Sequence, residues 1–196
     1  MNQALLILGT PGVGKSKLAH SLGQKLGMKL IDLGPTVRSK KLYNRYDART
    51  KSYVIDEGRV KAYLRDQLRG QEIIVATHII DRLIPAKAVR LAIVLRLDPV
   101  KLNRRLRARG WTERKVWENI ESELIDVCLE EAVRTFGKEK VVEIDTTMLT
   151  GSMVLSRAMA AVNLKRKAGR FLVDWLSRYD PVVLEKKLRW KNSTSS

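Results

Sequence analysis

Gly9-Thr10-Pro11-Gly12-Val13-Gly14-Lys15-Ser16 fills every fixed position of the phosphate-binding loop pattern G-x-x-x-x-G-K-[ST]. Its flanks agree. Ala4-Leu5-Leu6-Ile7-Leu8 before it is a short unbroken apolar run, as a buried parallel strand reads. After it, Ser16, Leu18, Ala19, Leu22 and Leu26 return to helical spacing. Strand, glycine loop and helix together predict a cradle whose backbone N–H groups turn toward phosphate oxygens, with the helix N-terminus adding partial positive charge. In such a cradle Lys15 reaches the β- and γ-phosphates of a nucleotide and the Ser16 hydroxyl holds Mg²⁺.

Outward from the loop, five apolar runs read as strands: Ala4–Leu8, Lys29–Leu33, Glu72–Ala76, Leu91–Leu97 and Val141–Ile144. Helical stretches separate them, which predicts an α/β fold with a parallel sheet that binds ligands beyond the carboxyl ends of its strands. With 196 residues, 44% hydrophobic and 30% charged, the chain reads as one globular domain spanning 1–191. Asn192 to Ser196 reads as a disordered tail. No apolar run approaches a membrane span, the N-terminus lacks a signal-peptide pattern, and the lone Cys128 fits a reducing cytoplasm. Cys128, between Val127 and Leu129, reads as a small buried hydrophobe.

Charge is the unusual feature. Thirty-eight basic against 21 acidic residues give +17, an excess that calls for an anionic partner, nucleic acid first. Thermophilic enrichment in charged residues is the competing explanation. Residues 151–196, a basic C-terminal helical region, hold 10 basic and 3 acidic side chains. There the Lys165–Arg170 cluster reads as a phosphate-backbone contact or a solvated helix end. Trp175 reads as packed against the sheet, and Trp190 has no assignment.

Two regions carry the remaining chemistry. After the second strand, residues 34–55 are basic and tyrosine-bearing (Tyr43, Tyr46, Tyr53) without clear periodicity, until Asp56 caps a helix bearing Val60, Tyr63, Leu64 and Leu68. Arg38 is the first arginine there and the candidate for receiving a phosphate. Farther on, Pro99 opens a helix that ends in Arg104, Arg105, Arg107 and Arg109 before Gly110-Trp111. Arg105 and Arg109, four apart, share a face and converge on one anion, whereas Arg104 and Arg107 point elsewhere as solvated charges or RNA contacts. A helix from Lys115 to about Phe136 follows.

These residues resemble a known family. Gly9–Ser16, Tyr46-Asp47, Ile55-Asp56-Glu57, Thr77-His78, Asp81 with Pro85, Val94-Leu95-Arg96, Arg105, Arg109-Gly110-Trp111, Lys115, Glu118-Asn119-Ile120, Glu123 and Glu131-Ala132 stand in the order found in adenylate kinase-like proteins of the nuclear isoenzyme-six type and their archaeal relatives. The resemblance implies a phosphate-loop fold with a five-stranded parallel core and helices on both faces. A monophosphate-binding segment (about 32–55) and a short lid (about 108–118) would be inserted in it. It implies phosphoryl transfer from ATP with Mg²⁺ to AMP, ATP hydrolysis, and work in small-subunit ribosome assembly beside a platform ribosomal protein and rRNA. Gly12, Val13, Gly14, Lys15, Ser16 and Lys17 would line the ATP phosphates. Arg109 would reach the nucleotide from the lid, Arg105 would assist transfer, and Arg38 would meet the AMP phosphate. His78 by its own setting reads as a polar core residue; the resemblance gives it a place near the attacking water or the Mg²⁺ shell.

One departure stands out. The family's D-x-H element reads Ala76-Thr77-His78 here, so its Mg²⁺-anchoring carboxylate is absent, with Asp81 or Asp32 as candidate substitutes. Three functions therefore compete: a nucleoside monophosphate kinase, a nucleotide-switched assembly factor, and a small-molecule kinase of the shikimate or cytidylate type sharing only the loop.

Overall fold

The alternation of apolar and amphipathic stretches resolves into one parallel sheet with helices on both faces. The computed structural model describes residues 3–48, 52–78, 83–163 and 169–188. Its strands are β1 (Ala4–Leu8), β2 (Lys29–Asp32), β3 (Tyr43–Asp47), β4 (Ser52–Ile55), β5 (Ile73–Ala76), β6 (Val89–Arg96) and β7 (Val141–Asp145). Its helices are α1 (Lys15–Leu26), α2 (Leu33–Ser39), α3 (Glu57–Gly70), α4 (Pro99–Ala108), α5 (Glu113–Leu124), α6 (Val127–Phe136), α7 (Gly151–Val162), α8 (Trp175–Arg178) and α9 (Pro181–Leu188). The main sheet runs β2-β5-β1-β6-β7 with every pairing parallel, so β1 and the loop that follows it lie at the centre.

Alternation along the strands divides the core in two. Leu5 and Ile7 face one layer with Leu18 and Leu22 of α1, Leu102 and Leu106 of α4, Ile120 of α5 and Ala158 of α7. Leu6 and Leu8 face the other with Val60 and Leu64 of α3 and Leu129 and Phe136 of α6. Both faces are covered, which is why the strands read as continuous apolar runs. No helix among the described residues is long and apolar enough to cross a membrane.

The strand assignments hold to within two residues at each end. Asp56 caps α3 through Oδ1, which accepts from the Arg59 amide at 3.0 Å, and Asp98 caps α4 in the same way with Lys101. Two regions differ from the sequence reading. Residues 34–55, read as an irregular connection, form α2 and the antiparallel hairpin β3–β4. The single helix read over 115–136 is two: Asp126 adopts the left-handed conformation (φ 60°) and separates α5 from α6. The bend turns the Asp126 carboxylate onto Arg96. Asp tolerates this conformation better than most residues, so the ion pair costs little backbone strain. The tail, Trp190, Asp81 and most of the Lys165–Arg170 cluster lie outside the described residues.

Candidate functional site

The loop after β1 is shaped by glycines at positive φ: Gly9 at 133°, Gly12 at 100° and Gly14 at 116°. A Cβ at Gly9 would sit 2.4 Å from the Leu95 carbonyl oxygen, and one at Gly12 would sit 2.9 Å from methyl carbons of Leu102 and Leu106. The loop is thus wedged between the end of β6 and the apolar face of α4, and side chains are excluded at both positions. Val13 buries its side chain in the core, so only its backbone faces outward. Ser16 and Lys17 are exposed on the first turn of α1.

Lys15 folds back over this loop, donating from Nζ to the carbonyl oxygens of Gly9 at 2.7 Å and Thr10 at 3.1 Å. Burial lowers its pKa to about 8, against the attraction of the Cys128 thiolate form and the carboxylates of Asp32 and Glu123, while Arg109 adds repulsion. Arg109 therefore acts on Lys15 through space from the C-terminus of α4. Arg105, one turn earlier, approaches the loop as well, with Nη1 3.3 Å from the Gly12 carbonyl oxygen. Of the two arginines named from their spacing, Arg105 contacts the loop and Arg109 acts on it through its charge. Arg107 does not: it forms a two-pronged ion pair with Glu113, at 2.8 and 2.5 Å, and bonds Asn103 at 2.8 Å. Arg104 is exposed.

His78 is exposed, which corrects its reading as a core residue. Desolvation and then the ammonium groups of Lys15 and Lys115 hold its imidazole low, near 4. His78 is therefore neutral at pH 7. Lys115 in turn lies 4.6 Å from the centre of the Trp111 ring. Lys15, Arg105, Arg109, Lys115 and His78 thus gather at the loop from α1, α4, α5 and the end of β5. Arg38 stands apart from them, exposed in the last turn of α2, with no side-chain contact to that group.

Beneath the loop lies a cluster that sequence reasoning did not assign. Arg96, at the end of β6, is 2% exposed and meets three carboxylates: Glu123 at 2.8 Å, Glu143 at 3.1 Å, and Asp126. Burial opposes its charge, but Glu123 and Asp126 outweigh that and hold the guanidinium above its ordinary pKa. Glu123, also 2% exposed, accepts from Arg96 Nε, the Leu97 amide at 3.1 Å, the Trp175 indole at 3.2 Å and the Thr10 hydroxyl at 2.6 Å. Three of these bonds fall on Oε1 and the fourth, from Thr10, on Oε2. Glu143 Oε2 accepts the amides of Leu172 at 2.7 Å and Val173 at 3.1 Å. The cluster therefore ties loop residue Thr10 to the segment leading into α8. Trp175 is buried there as expected, with Arg178 5.0 Å from its ring centre. The signal for this cluster was a basic residue closing the apolar run of β6 and acidic ones inside helical apolar patterns, which only partnering makes tolerable. Cys128 is buried beside it, and desolvation pushes its thiol up to about 11, as suits an inert hydrophobe.

For Mg²⁺, no group of three or more His, Cys, Asp or Glu side chains among the described residues has metal-holding geometry. Ser16 offers its exposed hydroxyl, and Asp32 pairs in register with Ala76 at the strand ends. Asp32 thus lies beside the position where the expected carboxylate is absent.

Known proteins agree with this architecture. A family model described as an AAA domain matches residues 5–126. The chain is 37% identical over 186 residues to a protein of Methanocaldococcus jannaschii named "Putative adenylate kinase", covering 93% of this chain and 99% of that one. A protein of the same name from Pyrococcus furiosus is 32% identical over 181 residues, covering 91% and 94%. Among solved structures, shikimate kinase from Bacteroides thetaiotaomicron superposes with a TM-score of 0.56 at 14% identity, over 82% of this chain and 98% of that one. Thymidylate kinase from Candida albicans gives 0.54 at 16%, over 84% and 92%. At such identities these two show the fold alone.

Proposed function

The chain belongs to the adenylate kinase-like family of phosphate-loop proteins, and on that premise we propose that it transfers the γ-phosphoryl group of Mg²⁺-ATP to AMP. An AMP phosphate oxygen attacks the γ-phosphorus, the bond to the β-phosphate bridging oxygen breaks, and two ADP result. The observation that carries this reading is the gathering of Lys15, Arg105 and Arg109 around the loop. Phosphoryl transfer leaves the protein little to do beyond positioning and neutralising charge, and three cations beside a backbone cradle supply both. Gly12, Val13, Gly14, Lys15, Ser16 and Lys17 hold the ATP phosphates. Ser16, with Asp32 through water, would hold Mg²⁺, which would supply positive charge against the phosphates. Residues 32–55 form the acceptor segment, with Arg38 meeting the AMP phosphate, and residues 108–118 form the lid.

A second reading is favoured by Ala76. Without a carboxylate there, transfer to AMP is weak and water becomes an acceptor, with neutral His78 orienting it. ATP hydrolysis then switches an assembly factor of the nuclear isoenzyme-six type, working in small-subunit ribosome biogenesis on a platform ribosomal protein and rRNA. The charge of +17 supports a polyanionic partner.

One assay separates the two. ADP formation from ATP and Mg²⁺ is followed with and without AMP, with phosphate release in parallel. ADP that requires AMP and appears without free phosphate identifies the phosphotransferase. Phosphate release independent of AMP identifies the switch. Neither product would refute both readings.

A further inference from the structure

The hairpin β3–β4 forms its own two-stranded sheet, and its base is closed by the Asp56 amide donating to the Leu42 carbonyl at 3.0 Å. Along a regular strand side chains alternate, so Tyr43 and Tyr46, three apart, belong on opposite faces. The register shifts between Tyr43 and Arg45, and the shift brings both tyrosines onto Tyr53. Ring centres lie 4.5 Å apart for Tyr43 and Tyr53, and 5.1 Å for Tyr46 and Tyr53, tilted by 53° and 57°. A bulge of this kind re-aims side chains and marks a built feature. Tyr43 is partly buried against the core, but Tyr46 is 51% and Tyr53 37% exposed. Cross-strand aromatic pairing helps hold a two-stranded hairpin together. It does not require ring surface open to solvent.

The charges around the rings are as informative. Residues 33–55 hold six basic side chains and one acidic, Asp47. Arg38, Lys40, Lys41 and Arg45 are all exposed, and none makes an ion pair among the described residues, whereas on α3 Arg59 pairs with Asp56 and Lys61 with Glu57. Open aromatic surface beside uncompensated cations matches a ligand that alternates flat faces with negative charge. Single-stranded nucleic acid is such a ligand, because its bases stack on aromatic rings while its phosphates meet Lys and Arg. A duplex hides its base faces. An acidic peptide would satisfy the cations and leave the rings unused, and one mononucleotide phosphate does not occupy four cations.

We propose that this hairpin is a stacking platform for single-stranded RNA, with bases on Tyr46 and Tyr53 and backbone phosphates on Lys40, Lys41 and Arg45. Only the choice of RNA over DNA rests on the ribosomal reading above.

The test is binding of a labelled, unstructured oligonucleotide of about twelve nucleotides by the full chain at several salt concentrations, as RNA and as DNA. The double variant Tyr46→Ala, Tyr53→Ala weakens RNA binding by roughly tenfold or more, and the pair Tyr46→Phe, Tyr53→Phe restores it, because stacking needs the ring and not the hydroxyl. Arg45→Glu weakens binding and flattens its salt dependence. Ultraviolet crosslinking of the wild-type chain to the oligonucleotide at Tyr46 or Tyr53 gives the same answer without any substitution. Wild-type binding that neither set of tyrosine changes alters, with crosslinks elsewhere, overturns the hairpin assignment and leaves an rRNA partner standing. A wild-type chain that binds neither oligonucleotide overturns both. Equal binding of DNA and RNA keeps the platform and removes its link to rRNA. A raised KM for AMP with unchanged RNA binding would assign the rings to the acceptor nucleotide and overturn the proposal.

Discussion

Arg96 and the pair Arg105 and Arg109 flank the same loop and differ in every other respect. Arg96 is buried and meets three carboxylates. Arg105 and Arg109 are exposed and meet none among the described residues; Arg105 approaches a loop carbonyl at 3.3 Å. An arginine taken out of water must be matched within the fold, and once matched it has nothing left to offer a ligand. An exposed one keeps its charge for a visiting phosphate at little cost to stability. Of the cations beside the loop, the matched one holds the fold and the unmatched ones serve the chemistry. Arg38 and Arg45 extend the second class to the hairpin.

The largest expected effect tests the buried side. Glu123→Ala strands Arg96 and leaves the Thr10 hydroxyl, the Leu97 amide and the Trp175 indole without their acceptor. Removing one member of a buried ion cluster costs about 3–5 kcal/mol. Thermal or urea unfolding should show that loss, and a stability within about 1 kcal/mol of wild type would mean the cluster is not the frame of the loop.

Next comes Lys15→Ala. Lys15 has carbonyl partners in the free chain, and these are replaced by phosphate in the proposed reaction. Turnover should fall about 10²–10³-fold, the cost typical of losing one donor to developing charge. The unfolding midpoint should stay near wild type. Retained turnover would refute the mechanism. Arg109→Ala should cost less, about 10–100-fold in kcat/KM, as suits one charged hydrogen bond to the nucleotide. If Arg109→Ala instead lowered stability and left turnover alone, the division between matched and unmatched arginines would fail at its most direct test.

That division also explains what was legible beforehand. The fold was readable because β1, β5, β6 and β7 are buried on both faces, and such strands announce themselves as apolar runs. The loop was readable because its glycines answer local geometry, and Arg105 and Arg109 because helical spacing puts them together. The hairpin was not: its strands are largely exposed, and a polar strand shows no alternation to detect. The Arg96 cluster was not either, since its members lie 27 and 47 residues apart and only the folded sheet brings them together. The break at Asp126 follows from that same hidden partner. From its own setting His78 read as a core residue, because its neighbours in sequence are apolar while its neighbours in space are ammonium groups; only the resemblance gave it a place at the site.

The smallest effect concerns pH, and it separates the two sides within a single residue. Lys15 has a folded pKa near 8 against an ordinary value of 10.5. Between those values the unfolded chain holds a proton on this lysine that the folded chain has released, so stability rises with pH across the window. Affinity for ATP runs the other way. The polyphosphate favours the ammonium form, so binding is strongest below about pH 8 and weakens above it, by at most about tenfold per pH unit. Other lysines and tyrosines also titrate toward pH 10, so the informative quantity is the difference from Lys15→Arg, whose charge is fixed. Measured without Mg²⁺ from pH 7 to 9.5, ATP affinity should decline in the wild-type chain and stay nearly level in the arginine variant. Parallel curves would mean that Lys15 is charged throughout and belongs, like Arg96, to the matched class. A stability that rises while affinity falls would place it between the two: a cation the fold tolerates only because a phosphate is its intended partner.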